Sequence, residues 1–375
     1  AADLDNLVET LRRPADNLPA SFAYDTEFIG ESSYHPKLCL LQVANRDAIW
    51  LVDPLEIDVM PLLELVADPD VETVVHAGEQ DLEPVARLVG HKPQNVIDTQ
   101  IAAGFCGLPY PASLSKLVEY VSTQVLEVDS SHGLKLGKGY TFTQWDERPL
   151  SSKQLSYAAD DVRFLPLILD WIRHCLADDP QRLAWVQDEC DARCTKAAYQ
   201  QDGPWERVKG YGGLDHRAKP ILRALAVWRD EAAEQGDLPP RALVRDEVLV
   251  GMSKHPPKSA DRLREVRHMP KPVAQQFADA LMAAVVAGKE SPDEPTRTPS
   301  FDLDLADKFA ADSALARLQG LAYARRIDPN LVCNRRDVET LLRDHRSGQS
   351  TSDHPLLTGW RGDAVGREWV EQLEL

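Results

Sequence analysis

The chain has 375 residues, a formal net charge of −18, 43% hydrophobic and 27% charged residues. This composition excludes a globally disordered polymer. The acidic balance excludes a protein that coats nucleic acid by bulk charge, although local basic patches remain compatible with a nucleic-acid enzyme. The longest apolar runs, Leu38–Leu41 and Leu281–Val286, are far too short to span a bilayer. The N-terminus has no basic stretch followed by an apolar one, so no secretory signal is read and a cytoplasmic protein is expected. The start at Ala1 rather than Met suggests a trimmed N-terminus. The length suggests two or three domains.

In chain order, Ser21–Ile29, Lys37–Ala44 and Ala48–Val52 read as strands separated by turn-rich stretches. Helical spacing over Met60–Ala67, a short strand at Thr73–His76 and a helix over Gln80–Val89 follow. Val96–Ile97 is a further short strand, and Asp98 is placed to cap a helix from Thr99 to about Phe105. This succession predicts an α/β domain with a mixed sheet covered by helices. From Ser151 the pattern turns helical: Gln154 to Leu176 carries the apolar period, with Pro166 expected to bend or end the helix. The expected domains are residues 1–203, a helical module over 204–290, a Pro- and charge-rich linker over 291–299, and a second helical module over 300–375.

The six cysteines, Cys39, Cys106, Cys175, Cys190, Cys194 and Cys333, form no Cys-x-x-Cys pair. They read as reduced, mostly buried thiols, and a structural zinc is not expected. Charge is uneven: Leu214–Glu290 has thirteen Lys/Arg against eleven Asp/Glu in an otherwise acidic chain. A loose basic series there (Arg241, Arg245, Lys254, Lys258, Arg262, Arg264, Arg267) is either solvated surface or a set of phosphate contacts.

Three groups of residues point to chemistry. In Asp25-Thr26-Glu27, alternation along the strand puts both carboxylates on one face of an otherwise apolar segment. Such groups repel each other and resist desolvation, and a hard divalent cation relieves both problems. Asp81, in His76-Ala-Gly-Glu-Gln-Asp81, falls in the first turn of a helix at the mouth of the sheet. Tyr157 and Asp161 are four residues apart on one helix face. Each signal alone has an ordinary reading: a chance triplet, a carboxylate favoured by the helix dipole, and a core tyrosine with a solvated acid.

In this order, Asp25/Glu27, Asp81 and Tyr157-x-x-x-Asp161 resemble the three motifs of the DEDD 3′–5′ exonuclease superfamily. Ser156 occupies the position where the histidine subclass has its base, so the tyrosine subclass is indicated. The stretches YDTEFIGESSYHPKLCLLQVA, HAGEQDLEP, IDTQIAAGF and RPLSSKQLSYAADDVRFLPLI resemble the bacterial ribonuclease D family. The segment LAVWRDEAAEQGDLPPRALVRDEVLVGMSKHPP resembles a helicase-and-ribonuclease-D C-terminal (HRDC) module, and HPLLTGWRGDAVG a second, weaker one.

The resemblance implies a ribonuclease H-like mixed-sheet exonuclease domain followed by two all-α HRDC-like modules. It implies removal of nucleotides from RNA 3′ ends by two-metal-ion hydrolysis with Mg²⁺ or Mn²⁺, releasing nucleoside 5′-monophosphates. Precursor tRNA ends are the expected partners, with no obligate protein partner. By carry-over, Asp25, Glu27 and Asp161 would hold one ion, Asp25 would bridge to a second, and Asp81 would hold that second ion directly or through water. Tyr157 would orient the attacking water. Thr26, Phe28, His76 and Gln80 are candidate substrate-binding residues, or supporting and packing ones. Trp228 reads as core. Glu79 adds a negative charge near the second motif, Asp160 stands beside the assigned ligand, and Gly133–Thr143 looks like an inserted loop. Two other readings stay open: a 3′–5′ DNA exonuclease, and a nucleic-acid-binding protein with a silent catalytic domain.

Overall fold

Alternation along Ser21–Ile29 decides how the sheet is covered. Phe22 and Tyr24 face one side and Ala23 the other, all fully buried or nearly so. In the computed structural model this segment is β1 of a five-stranded sheet with β2 (Lys37–Ala44), β3 (Ile49–Val52), β4 (Glu72–Val75) and β5 (Val96–Asp98). The residues described are 2–14, 18–30, 33–125, 136, 144–199, 203–292 and 305–373. The strand order is β3-β2-β1-β4-β5. β1 runs parallel to β4 and β4 to β5, while β2 and β3 are antiparallel. The sheet is therefore mixed, as expected. Ser21, Phe22 and Ala23 pair with Glu72, Thr73 and Val74. Asp25 to Ile29 consequently run past the C-terminal end of β4, where open α/β sheets build their sites.

Helix α1 (Ala2–Leu11), absent from the sequence reading, packs on the Phe22 face through Leu4, Leu7 and Leu11. It is joined there by α2 (Met60–Val66) and α3 (Glu79–Val89). The Ala23 face is covered by α4 (Thr99–Phe105), α5 (Leu114–Val125), α7 (Leu165–Leu176) and α8 (Pro180–Tyr199). Between α5 and α7 lies α6 (Ser152–Arg163), which starts on a reciprocal cap: Ser151 Oγ accepts from Gln154 N (3.3 Å) and Gln154 Oε1 accepts from Ser151 N (2.8 Å). The long helical pattern of Gln154–Leu176 is broken at Phe164, and Pro166 stands in the first turn of α7, where its missing N–H costs nothing. The expected inserted loop over 133–143 lies, apart from Leu136, outside the described residues, as does most of the linker over 291–299.

The chain groups into two compact units: Ala1–Glu27, Leu38–Tyr199 and Asp304–Leu375 in one, Phe28–Lys37 and Gln200–Leu303 in the other. The second is a helical cluster of α9 (Ala218–Gln235), α10 (Pro240–Leu243), α11 (Asp246–Lys254), α12 (Lys271–Gln276) and α13 (Ala278–Glu290). Its core holds Leu222, Leu225, Leu249, Leu281 and Val285, with Trp228 packed edge-on against Phe277 at 5.6 Å, so Trp228 is core as read. A Cβ on Gly288 would lie 2.4 Å from Ile221 Cα, so the glycine lets α13 close on α9.

The last helices are α14 (Leu305–Ala324), α15 (Pro329–Val332), α16 (Arg335–Arg346), α17 (Gly359–Arg361) and α18 (Arg367–Leu373). They belong to the unit that holds the sheet: Leu318, Leu331, Trp360 and Trp369 share one core with Phe105, Leu165 and Ile168. A buried carboxylate fixes them there. Glu189 on α8 accepts from Trp360 Nε1 (2.9 Å), Arg361 Nη1 (2.9 Å) and Arg193 Nη2 (3.1 Å), and these partners hold its carboxyl below the usual range despite burial. Removing it leaves Arg361 Nη1 and the Trp360 N–H without their acceptor, although Arg361 still donates to the carbonyls of Leu331 and Val332. Glu189→Ala is therefore expected to cost about 2–4 kcal/mol in a denaturant titration.

All six cysteines are free thiols, and all but Cys175 are buried, as the sequence reading expected. No helix among the described residues is long and apolar enough to cross a membrane.

Candidate active site

β1 delivers Asp25 and Glu27 to one side of the sheet because residues two apart on a strand share a face. α6 brings Asp161 to meet them. One carboxylate oxygen from each of Asp25, Glu27 and Asp161 lies within 4.8 Å of the other two. Among the described residues this is the one group of His, Cys, Asp or Glu side chains gathered closely enough to hold a metal ion. It is made only of hard oxygen donors, the set that suits Mg²⁺ or Mn²⁺.

Asp81 stands beside this trio rather than in it. It lies in the first turn of α3 and is 9% exposed. Its Oδ1 accepts from Thr26 Oγ1 (2.5 Å) and Thr26 N (3.2 Å). Thr26, on the opposite face of β1 from the two acids, is 5% exposed. Its hydroxyl thus ties the second motif to the first, a role that spacing does not show. Thr26→Val keeps the shape and removes this bond to a charged acceptor. The expected loss is about 1.5–3 kcal/mol of stability, read from a denaturant midpoint.

The turn that launches α3 is clamped by a residue read from sequence only as a helix cap. Asp98 does accept from Gln100 N (2.8 Å) at the start of α4. It also accepts from Ala77 N (3.0 Å) and Gly78 N (3.2 Å). Ala77 takes φ 55°, a left-handed conformation, and a Cβ on Gly78 would lie 2.6 Å from Val75 Cβ. The carboxylate offsets the strain of that turn and so fixes where Asp81 emerges.

The acids repel one another in a partly dry setting. Burial first, then the charges of Asp81, Asp161 and Glu27, push Asp25 well above the ordinary range. Burial and the neighbouring Asp161 and Asp81 raise Glu27 to about 8. Burial raises Asp161 to about 7, against a hydrogen bond from the Tyr157 hydroxyl that lowers it. Burial also raises Asp81, although the Thr26 hydrogen bonds oppose the shift. Asp161 Oδ2 is buried and has no hydrogen-bond partner. An orphaned buried acceptor among mutually repelling acids is what a divalent cation would satisfy, so the residues fit such an ion.

Tyr157, one turn before Asp161 on α6, is half-buried, with its ring 6.2 Å from that of Trp145. Burial and then the charges of Asp161, Glu27 and Asp25 push its phenol further above the ordinary value, so it stays a proton donor. Asp160 pairs with Arg163 (2.9 Å), and its charge still adds to the upward shift of Asp161. Glu79 does not act as a bare negative charge, because Lys196 (3.3 Å) and Arg193 (3.9 Å) stand against it. His76 Nδ1 lies 2.9 Å from Thr99 Oγ1, Gln80 is exposed in the first turn of α3, and Phe28 is half-buried on β1.

The 3′-5′ exonuclease family matches residues 2–176, which include all five residues of the acid-and-tyrosine set. The HRDC domain family matches residues 218–285. The ribonuclease D of Zymomonas mobilis is 33% identical over 94% of this chain and 88% of its own length. The chain belongs to the ribonuclease D family. Ribonuclease D of Escherichia coli is 30% identical over 96% of this chain and 94% of its own length. The crystal structure of that enzyme, described as an exoribonuclease involved in structured RNA processing, covers 100% of this chain and 96% of its own at 28% identity, with a TM-score of 0.78. Membership of the ribonuclease D family makes the chain a 3′–5′ exoribonuclease, and the HRDC match falls on α9 to α13. A structure from Bifidobacterium adolescentis, 21% identical with a TM-score of 0.66, shares the fold.

Proposed function

We propose that the chain shortens RNA from its 3′ end by metal-dependent hydrolysis, one nucleoside 5′-monophosphate at a time, and that precursor tRNAs are among its substrates in the cytoplasm. The observation that carries this is the trio Asp25, Glu27 and Asp161, three carboxylates held together against their own repulsion. These three would hold one divalent cation, Mg²⁺ or Mn²⁺, with Asp25 and Asp81 serving a second. Bound there, such ions supply Lewis acidity toward the phosphate and its attacking water.

The chain's own groups do the rest. Tyr157 keeps its proton and orients the attacking water through its hydroxyl; it is not the base. Thr26 holds Asp81 in place. Water adds to phosphorus, the bond from phosphorus to the 3′ oxygen of the preceding residue breaks, and that oxygen leaves as the new 3′ hydroxyl. The description of the Escherichia coli relative as a structured-RNA enzyme supports the tRNA reading. No protein partner is required for this activity.

The test compares RNA and DNA of one sequence, each labelled at the 5′ end, over a time course with Mg²⁺ or Mn²⁺. A ladder shrinking from the 3′ end of RNA, with DNA cut far more slowly, is expected. Equal rates on both would replace this reading with a DNA exonuclease. Retention of RNA with no cleavage of either would make the chain a binding protein with a silent site.

A further inference from the structure

Two of the six thiols meet, although 69 residues separate them in the chain. Cys106 closes the C-terminal end of α4 and is buried, while Cys175 stands in the last turn of α7 and is half-buried. The two helices pack on each other, and both side chains join the core on the Ala23 face of the sheet. Their sulfurs share a hydrogen bond. The surroundings are cationic. A Cβ on Gly107, next to Cys106, would lie 3.5 Å from Arg326 Cβ, so Arg326 stands beside the pair, held by a left-handed backbone of φ 57°. Its charge acts on both thiols, and that of Arg182 acts on Cys106. Arg182 Nε is itself a buried donor with no acceptor.

The pair is unequal. The hydrogen bond from Cys106, against burial and with the charge of Arg326, draws the Cys175 thiol down to about 7. The same bond and then burial push Cys106 upward, so it keeps its proton. A half-exposed thiol with thiolate character beside a buried protonated one divides the work of an attacking and a resolving cysteine. Cys190 and Cys194, four apart on α8, lack that division: both are buried, and burial raises both, Cys194 to about 12. We propose that Cys106 and Cys175 are a modification site, forming a reversible disulfide between α4 and α7 when the folded chain meets a peroxide. The Cys175 thiolate attacks one peroxide oxygen, the O–O bond breaks, hydroxide leaves, and Cys175 becomes a sulfenic acid. The Cys106 sulfur then attacks that sulfur. The S–O bond breaks, the S–S bond forms, and the Cys106 proton leaves with the hydroxyl as water. Two thiols are oxidised and one peroxide is reduced to two waters. The crosslink closes residues 106–175 into a loop that contains all of α6, and with it Tyr157 and Asp161.

The test treats the folded full chain with a small excess of hydrogen peroxide, quenches it, unfolds it and counts free thiols. The count is expected to fall from the six of the reduced chain to four and to return to six with dithiothreitol. Mass spectrometry of a non-reduced digest should find the peptides of Cys106 and Cys175 joined. Cys106→Ser removes the resolving thiol, so Cys175 should be trapped there as a sulfenic acid by dimedone. Cys175→Ser should keep its five thiols under the same treatment. Cys194→Ser, at a buried thiol outside the pair, should still lose two. No loss of thiols in the folded wild type would overturn the proposal, as would a disulfide that joins other cysteines or an equal loss in Cys175→Ser. The wild-type count and digest decide the matter alone should a variant fail to fold.

Discussion

Asp25→Asn is expected to lower RNA hydrolysis by roughly a thousandfold or more while RNA binding stays near wild type. The substitution keeps size and shape but removes one full charge from the centre of the cluster. Asp25 is the residue whose charge is most opposed by its neighbours, since Asp81, Asp161 and Glu27 all act on it. A protein that tolerates such repulsion gains activity from it only through a cation. The amide supplies one neutral oxygen in place of an anionic pair, so the affinity for that cation falls steeply. Asp161→Asn should behave alike, because its Oδ2 is a buried acceptor with no partner of its own. Single-turnover cleavage and equilibrium RNA binding on the same preparations separate loss of chemistry from loss of substrate. A variant within tenfold of wild type would show that the trio is not the reacting centre.

Without divalent ions, thermal stability is expected to fall as pH rises from about 5 to about 8.5, and Mn²⁺ should restore it most at the alkaline end. The sign follows from linkage. Glu27 and Asp161 have folded-state values of about 8 and 7, above the ordinary carboxylate range, so the folded chain binds protons more tightly than the unfolded one. Stability from that difference is fully present below the unfolded values. It is lost as pH climbs through the window from about 4 to about 8. The penalty at the alkaline end is on the order of several kcal/mol, or a drop in melting temperature of about 5 °C or more. A cation that offsets the repulsion adds little at pH 5, where the acids share protons, and much at pH 8. Asp25→Asn should flatten both trends, being less repelled without metal and less rescued with it. Scanning calorimetry in EDTA and in Mn²⁺ across this range checks both. A melting temperature that rises with pH in EDTA would contradict the repulsion.

The parts of the site legible in the sequence were those written in local periods. Strand alternation paired Asp25 with Glu27, and helical spacing paired Tyr157 with Asp161, because both periods survive whatever packs around them. The Ser151–Gln154 cap and the Asp98 cap were legible for the same reason. What stayed hidden was set by contacts between distant segments. Thr26 reaches Asp81 across 55 residues, and Asp98 reaches Ala77 and Gly78 across about 20. Glu79 looked like an added negative charge because Arg193 and Lys196 come from a helix more than a hundred residues away. The C-terminal helices show the same limit at the scale of the fold. Their pattern says helix, but only the joining of Glu189 to Trp360 and Arg361 shows that they finish the core under the sheet. Helix α1 is a different case. Leu4, Leu7 and Leu11 have helical spacing, so its signal is local and present in the sequence.

If the acid trio and its cations remove nucleotides from RNA 3′ ends, the reaction must stop and restart with the metal. The most direct measurement follows a 5′-labelled RNA through stepwise cleavage with Mn²⁺, with EDTA added part-way and excess Mn²⁺ later. Products should shorten one nucleotide at a time, stop with EDTA and resume with Mn²⁺ in wild type, with no shortening at any stage in Asp25→Asn. Shortening that continues through EDTA, or that Asp25→Asn performs at the wild-type rate, would contradict the account.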